Sequence, residues 1–263
     1  MILGLTCIGD ELFVLHLRDN DQVEVYTTKL SLDYNLLRQF SLEGLQTHQE
    51  NDMTSCGRHG YLFISDFAKS CLYKSTSNNG FVTDTWYVPE SPVAVSLTPT
   101  NNVLVTCSGR EPSSSSVESC KIIELSCEKG ERLRELSLLP NLGCPSHAVQ
   151  LRLSKQRYVV TQQGDHLSRV CVVDADGQVL QSYGREPGSG DKLLNRPRHV
   201  TVDRDNFIFV ADRYNNRVVL LSPKLQLTRQ CKFDKKPWRL YLDHVTRRLY
   251  VGLVDGDITV MQV

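Results

Sequence analysis

The sequence lacks net charge, because its 263 residues carry 30 Lys and Arg against 30 Asp and Glu. Overall charge therefore argues against indiscriminate binding to nucleic acid. No apolar run approaches the length of a membrane span. The beginning of the chain, residues 1–7, has no basic segment of the kind that opens a secretory signal, and we interpret it as a first β-strand. We expect a cytoplasmic protein that does not contact a membrane.

Paired cysteine motifs are also missing. The chain has nine cysteines, an odd number, and no Cys-x-x-Cys pair. This argues against a disulfide framework and favours buried, reduced thiols that act as small hydrophobic side chains. These cysteines are Cys7, Cys56, Cys71, Cys107, Cys120, Cys127, Cys144, Cys171 and Cys231.

The usual signatures of catalysis are absent. Gly184, Gly188 and Gly190 resemble a phosphate-binding loop, but Leu193 leads into a strand and not into the helix that would hold a phosphate. No segment resembles a nucleophile elbow, and no Ser-His-Asp arrangement can be nominated. We therefore predict no catalytic residue and no cofactor.

Residues 193–222, in contrast, contain three short runs typical of β-strands, separated by polar turns. The first run covers 199–202, the second, 207–210, is apolar at every position, and the third covers 217–221. A strand without a polar face must be covered on both sides. That is the environment of a middle strand in a propeller blade packed between two neighbouring blades.

The same unit recurs along the chain. Prolines, which suit the position just before a strand, open equivalent segments about 40 to 53 residues apart at Pro92, Pro145, Pro197 and Pro237. Six copies are present, at a spacing typical of four-stranded blades. Second strands align at 11–15, 61–66, 102–107, 157–161, 207–212 and 248–252, and third strands at 23–26, 71–74, 121–125, 170–173, 218–221 and 258–261.

These repeats predict an all-β fold with one domain over residues 1–263, a six-bladed β-propeller of four-stranded antiparallel blades. Blade boundaries are expected near residues 45, 90, 143, 195 and 235. The last blade offers only three strands before the sequence stops, so it is expected either to lack its fourth strand or to be completed by residues upstream of this sequence.

Residues 183–203, Tyr-Gly-Arg-Glu-Pro-Gly-Ser-Gly-Asp-Lys-Leu-Leu-Asn-Arg-Pro-Arg-His-Val-Thr-Val-Asp, together with Phe-Val-Ala-Asp-Arg-Tyr-Asn-Asn-Arg-Val at 209–218, resemble an NHL repeat. Blade two keeps Ile-Ser-Asp at 64–66 but has Phe-Ala-Lys in place of Tyr-Asn-Asn. The resemblance to the NHL domains of TRIM-NHL proteins implies selective binding of single-stranded RNA. The zinc-binding RING and B-box patterns of those proteins do not occur in this sequence, so any ubiquitin-ligase activity would reside outside it.

Charge is unevenly distributed. Residues 185–248 carry 15 Lys and Arg against 7 Asp and Glu, which makes blades five and six a basic sector. In a propeller, the loops that enter each first strand and the loops between second and third strands emerge on one face, where cationic and aromatic groups of this sector would gather. The predicted ligand-binding residues are Arg196, Arg198, His199, Arg213, Tyr214 and Asn215 of blade five, Lys235, Lys236, Trp238 and Arg239 of blade six, and His147 of blade four.

Within this set, Arg213 and Arg239 are expected at solvated positions, and Tyr214 and Trp238 are the candidate stacking groups. His147 and His199 occupy equivalent places after their blade-opening prolines and are expected near the central channel. Two histidines do not make a complete ligand set, so no metal site is predicted.

Two further features lie in loops. Asp66 and Asp212 directly follow second strands and are expected to cap loop N–H groups. Residues 108–119, Ser-Gly-Arg-Glu-Pro-Ser-Ser-Ser-Ser-Val-Glu-Ser, are expected to form a mobile loop, with phosphorylation or partner binding as alternatives.

Fold alone does not imply function, so three hypotheses stay open. The first is a non-catalytic recognition module, monomeric by itself, that binds a protein or peptide on the loop face. The second is sequence-selective binding of single-stranded RNA through the basic sector. The third is a metal-dependent lyase or hydrolase with a site in the channel.

Overall fold

The computed structural model describes residues 1–17, 22–28, 35–88, 90–108, 120–138, 145–153, 156–164, 166–190 and 192–263. Most of the Ser-rich segment at 108–119 and Cys144 lie outside these residues. Within them, no helix is long and apolar enough to cross a membrane.

The described residues form six antiparallel sheets arranged as the predicted six-bladed propeller. Blade one contains β1 (Ile2–Ile8), β2 (Glu11–His16), β3 (Gln22–Thr27) and β4 (Leu36–Ser41). Blade two contains β5 (Met53–Cys56), β6 (Tyr61–Asp66), β7 (Cys71–Thr76) and β8 (Val82–Tyr87). Blade three contains β9 (Ser91–Leu97), β10 (Val103–Ser108), β11 (Lys121–Leu125) and β12 (Arg132–Ser137).

The second half of the chain continues in the same order. Blade four contains β13 (Pro145–Gln150), β14 (Tyr158–Gln163), β15 (Ser168–Val173) and β16 (Val179–Arg185). Blade five contains β17 (Pro197–Val202), β18 (Ile208–Asp212), β19 (Arg217–Leu221) and β20 (Leu227–Lys232). Blade six contains β21 (Pro237–Asp243), β22 (Arg248–Leu253) and β23 (Ile258–Gln262). The predicted absence of a fourth strand in blade six is confirmed for this sequence.

Burial follows the position of each strand in its blade. The second strands are almost wholly buried, as expected for apolar strands covered by a blade on each side. Outer strands such as β12 are largely exposed. In blade six the third strand β23 is only half-buried, because no fourth strand among the described residues pairs with it.

First strands of successive blades contact each other around the channel, and blade six meets blade one to close the ring. This contact is apolar: Ile2, Leu5 and Val14 of blade one pack with Tyr250 of blade six. Gly252 lies so close to blade one that a Cβ placed there would come within 2.8 Å of Ile2. Among the described residues, close apolar packing therefore joins blade six to blade one.

The only helical turn among the described residues is a 3₁₀ turn at Arg213–Asn215, between β18 and β19. It ends at Asn216, which has a φ of 48° in the left-handed region that asparagine tolerates. The turn places Arg213 and Tyr214 at the rim of the loop face.

Candidate functional site

Asp212 holds the loop that carries Arg213 and Tyr214. Its Oδ1 accepts the backbone N–H of Asn195 at 2.7 Å. Its Oδ2 accepts the Asn215 amide and the Arg217 guanidinium, each at 2.7 Å. The expected loop-capping role of Asp212 is confirmed, and it fixes the strand 2–3 loop against the loop that enters β17.

Asp66 performs the same task in blade two. Its Oδ2 accepts the backbone N–H of Gln46 at 3.1 Å, and its Oδ1 accepts that of Lys69 at 3.0 Å. Asp66 therefore ties the entry loop of its own blade to the turn after β6, as predicted.

At the mouth of the channel, the first strands bring three blades together. The imidazole rings of His147 and His199 lie 3.7 Å apart between centroids, as their equivalent positions suggested. Each Nε2 lies 3.7 Å from Oδ2 of Asp52, a buried residue just before β5. Asp52 also accepts the backbone N–H of Val95 at 3.1 Å, which links it to blade three.

Arg239 balances the charge of Asp52. Its Nε lies 3.1 Å from Asp52 Oδ1 and donates to the carbonyl of Leu3, while Nη2 donates to the carbonyl of Asn51. Burial by itself would raise the pKa of Asp52, but the nearby Arg239 guanidinium holds it well below its usual value. Burial also lowers the pKa of Arg239 to about 10, still high enough for the side chain to be charged at neutral pH.

The histidines of this cluster stay neutral. Burial lowers the pKa of His147 well below its usual value, and the nearby His199 lowers it further. Burial also lowers the pKa of His199, against the opposing effect of Asp52. The channel mouth thus contains one carboxylate, one guanidinium and two uncharged rings.

The expectation that Arg239 is solvated is wrong. Arg239 is 1% exposed and its guanidinium lies inside the ring of first strands. Arg198 is buried to the same extent and pairs with Glu50 at 2.8 Å. Both arginines follow blade-opening prolines, and first-strand side chains point into the channel, where these two groups meet acidic residues from the entry loop of blade two.

Trp238 lies buried beneath the arginines of the basic sector. Three guanidinium groups lie against its ring: Arg213 at 4.2 Å, Arg198 at 4.7 Å and Arg239 at 5.7 Å from the centroid. Trp238 is only 2% exposed. The Trp238 ring positions these arginines and leaves no open face for an incoming aromatic group. Trp238 therefore does not fit the stacking role that was expected of it.

Tyr214 lies against the same Arg213 side chain and is 38% exposed. Three cationic groups approach its ring: Lys236 at 4.7 Å, Arg213 at 4.8 Å and Arg196 at 5.5 Å from the centroid. We name Arg196, Arg213, Tyr214 and Lys236 the cationic rim. Cation–π contacts of this kind hold positive groups next to one another in spite of their mutual repulsion.

Two predicted site residues have other partners. Lys235 lies 3.9 Å from Asp255 and does not join the rim. Asn215 donates its amide to Asp212 and to the carbonyl of Gly188, both at 2.7 Å, so it positions the loop.

Sequence reasoning missed Glu50 and Asp52. Both flank Asn51, just before the first strand of blade two, and two acidic residues at the entry of a first strand were the available signal. Glu50 pairs with Arg198 and Asp52 pairs with Arg239. These arginines lie almost 150 and 190 residues further along the chain, and no local sequence pattern connects them to the two acidic residues.

The donor set of Asp52, His147 and His199 is one that metal ions use, since its ligand atoms lie within 4.8 Å of one another. The charge around it is unfavourable, however. Arg239 already neutralises the carboxylate, and Arg198 adds to the positive potential that both histidines experience. A divalent cation would face both guanidinium groups.

Residues 194–219 match the sequence model of the NHL repeat. No curated protein sequence matches the chain at a significant level. A protein of unknown function from Bacteroides caccae shares the fold with a TM-score of 0.67 and 14% identity, covering 93% of this chain and 83% of its own. Hydrazine synthase from Kuenenia stuttgartiensis has a TM-score of 0.68 and 11% identity, covering 100% and 95%.

Virginiamycin B lyase from Staphylococcus aureus has a TM-score of 0.61 and 12% identity, covering 100% of this chain and 84% of the lyase. Relatives this distant and this varied in activity share a fold only. The matched segment runs from the loop before β17 into β19 and contains Arg196, Arg213 and Tyr214 of the cationic rim. The chain is thus a six-bladed β-propeller that carries an NHL repeat in its fifth blade.

Proposed function

We propose that this propeller is a non-catalytic recognition module that binds an acidic segment of a partner protein at the cationic rim. The observation that carries the proposal is the arrangement of Arg213 and Lys236. Both lie against aromatic rings at the surface of the loop face, and neither forms an ion pair with a carboxylate among the described residues. Cations that are positioned but not neutralised are suited to an anionic ligand.

The rim is also preorganised. Arg213 is half-buried between Trp238 and Tyr214, and its loop is fixed by the buried carboxylate of Asp212. Side chains already held in position lose little conformational entropy when a ligand binds. A carboxylate or phosphate on an extended peptide would meet Arg213 and Lys236 without a rearrangement of the blade.

The alternative is single-stranded RNA, favoured by the resemblance of blade five to the NHL domains of TRIM-NHL proteins. Base stacking usually contributes much of such binding, at roughly 1–3 kcal/mol per base. Here Trp238 is buried and Tyr214 already carries three cationic neighbours, so the described site offers few open aromatic faces. This consideration favours an acidic peptide over RNA.

A catalytic role in the channel, the third hypothesis, has less support. The titratable groups at the channel mouth are engaged in joining blades, and the guanidinium of Arg239 occupies the position next to Asp52. We therefore place recognition ahead of metal-dependent lyase or hydrolase chemistry.

The test compares R213E/K236E with the matched variant K224E/R229E. The second pair belongs to blade five, which also carries Arg213. It is exposed and makes the same change in charge outside the rim. The probes are a labelled peptide of alternating Glu and Gly and a labelled single-stranded oligonucleotide of equal charge. We expect the peptide to bind wild type and the matched variant, and to bind R213E/K236E about tenfold more weakly or worse.

The outcomes separate the hypotheses. Tighter binding of the oligonucleotide, with affinity that decreases steeply as salt is added, would favour RNA. Equal binding of the peptide to both variants would show that the rim is not the site. Unchanged urea midpoints of the two variants are the control for folding.

A further inference from the structure

A second cluster lies on the face opposite the cationic rim and is independent of the proposed function. Cys56 is the last residue of β5, His59 lies in the turn between β5 and β6, and Cys127 follows β11. Turns that join first to second strands and third to fourth strands emerge together on this face. The two sulfur atoms and the imidazole nitrogen all lie within 4.8 Å of one another.

The two thiols are held in place by the core between blades two and three. Cys56 and Cys127 are buried in one apolar cluster with Phe63, Leu72 and Val105, and both are reduced. Burial, together with the neighbouring Cys56 thiol, raises the pKa of the Cys127 thiol to about 12. In the absence of a cation the Cys127 thiol is therefore protonated and uncharged at neutral pH.

His59 connects this buried pair to solvent. Its side chain is 31% exposed, and its ring stacks on Tyr61 with 6.3 Å between centroids. Its Nε2 lies 3.9 Å from a carboxylate oxygen of Glu128, the residue after Cys127. A ligand set of two thiolates and one imidazole, with a carboxylate beside it, is thus open on one side.

Lys74 fixes the turn that contains Cys127. Its Nζ donates to the carbonyl of Glu128 at 2.6 Å, pairs with Asp84 at 3.2 Å and lies 4.4 Å from the Tyr61 ring centroid. The positive charge of Lys74 also favours the thiolate form of Cys127. The backbone next to Cys127 is therefore anchored before any cation binds.

We propose that Cys56, His59 and Cys127 bind one zinc ion, with the Glu128 carboxylate within reach as the fourth ligand. Thiolate and imidazole are the donors that zinc prefers, and sites of four protein ligands are usually structural. Binding forms two zinc–sulfur bonds and one zinc–nitrogen bond, while the two thiol protons pass to solvent. The ion would clamp the turns of blades two and three together.

The experiment uses the whole chain, purified under reducing conditions and treated with a chelator. Co²⁺ is added as a spectroscopic probe, followed by displacement with Zn²⁺. We expect one ion per chain, a thiolate-to-cobalt charge-transfer band and the visible bands of tetrahedral Co²⁺. Both features should be lost in C56S and C127S, and H59A, a change at the surface, should weaken binding about tenfold or more.

C71S is the matched control, because Cys71 is an equally buried thiol of blade two outside the cluster. Zinc should raise the melting temperature of wild type and C71S and leave that of H59A nearly unchanged. The proposal is overturned if C56S and C127S still bind Co²⁺ as wild type does. It is also overturned if Cys56 and Cys127 form a disulfide under air at the same rate with and without zinc.

Discussion

Arg239 of blade six and Asp52 of blade two pair across the channel mouth, with Nε 3.1 Å from Oδ1. Blade one lies between blades six and two around the closed ring, and Arg239 also donates to the carbonyl of Leu3 in that blade. One guanidinium group therefore connects three consecutive blades at the point where the ring closes. The pair is buried, so each charge depends on the other for compensation.

Replacing Asp52 with Asn should destabilise the propeller by about 3–5 kcal/mol, because the buried Arg239 would lose its counter-charge. Urea denaturation followed by circular dichroism measures the loss. Glu50→Gln is the comparison, since Glu50 is 19% exposed at its side chain and water can compensate Arg198 in part. A loss in D52N no larger than that in E50Q would contradict a structural role for the pair.

Stability should decrease as the pH falls below about 6.5. Burial lowers the pKa of His147 and of His199 in the folded state. As the pH falls below the ordinary histidine pKa of 6.5, these two histidines therefore take up protons in the unfolded state while they stay neutral in the folded state. Each histidine contributes a slope of up to about 1.4 kcal/mol per pH unit in that window. Asp52, whose pKa is lowered, keeps its contribution until the pH falls below about 3.8.

Unfolding free energies between about pH 7.5 and about pH 5.5 test this dependence. The double variant H147Q/H199Q should show a shallower slope than wild type, and H166Q, which changes an exposed histidine, should keep the wild-type slope. The guanidinium groups of Arg239 and Arg198 face the same cluster and reinforce the effect. Parallel slopes for all three proteins would argue that both rings are protonated as easily in the folded chain as in the unfolded one.

Asp212→Asn should destabilise blade five by about 3 kcal/mol or more, because Arg217, which is 4% exposed, would lose its charged partner. It should also weaken binding at the cationic rim, since the loop of Arg213 and Tyr214 would be less restrained. Chemical denaturation and peptide titration measure the two effects. Asp205→Asn, at an exposed turn of the same blade, should change stability by no more than about 0.5 kcal/mol.

Gly252→Ala should destabilise the ring closure by about 1–3 kcal/mol, because a methyl group would lie 2.8 Å from Ile2 and 2.9 Å from Leu5. Gly57→Ala is a clean comparison, since a Cβ at Gly57 has no atom within 4 Å. Thermal unfolding of both variants checks the prediction. Equal midpoints would show that blades one and six are packed more loosely than the structure indicates.

Much of the architecture follows from local sequence. Apolar runs such as the one at β18 (Ile208–Asp212) predict middle strands, because a strand without a polar face needs cover on both sides. Prolines at the start of first strands mark where blades begin, and Asp66 and Asp212 at the ends of second strands mark the loops that follow. These residues act on backbone groups only a few positions away or in an adjacent loop. The three-stranded last blade likewise follows from counting strands.

The environment of individual side chains was decided by the tertiary structure. His147 and His199 could be placed near the channel from their repeat positions, but their partner Asp52 comes from blade two, where the repeat has no histidine. Arg239 belongs to a basic sector in sequence and lies buried in the fold, because closing the ring brings it to Asp52. Cys56 and Cys127 belong to different blades, without a paired-cysteine motif, and meet only when those blades pack. Periodicity is a local property that determines strands and blades, whereas charge compensation and ligand geometry depend on which blades become neighbours across the closed ring.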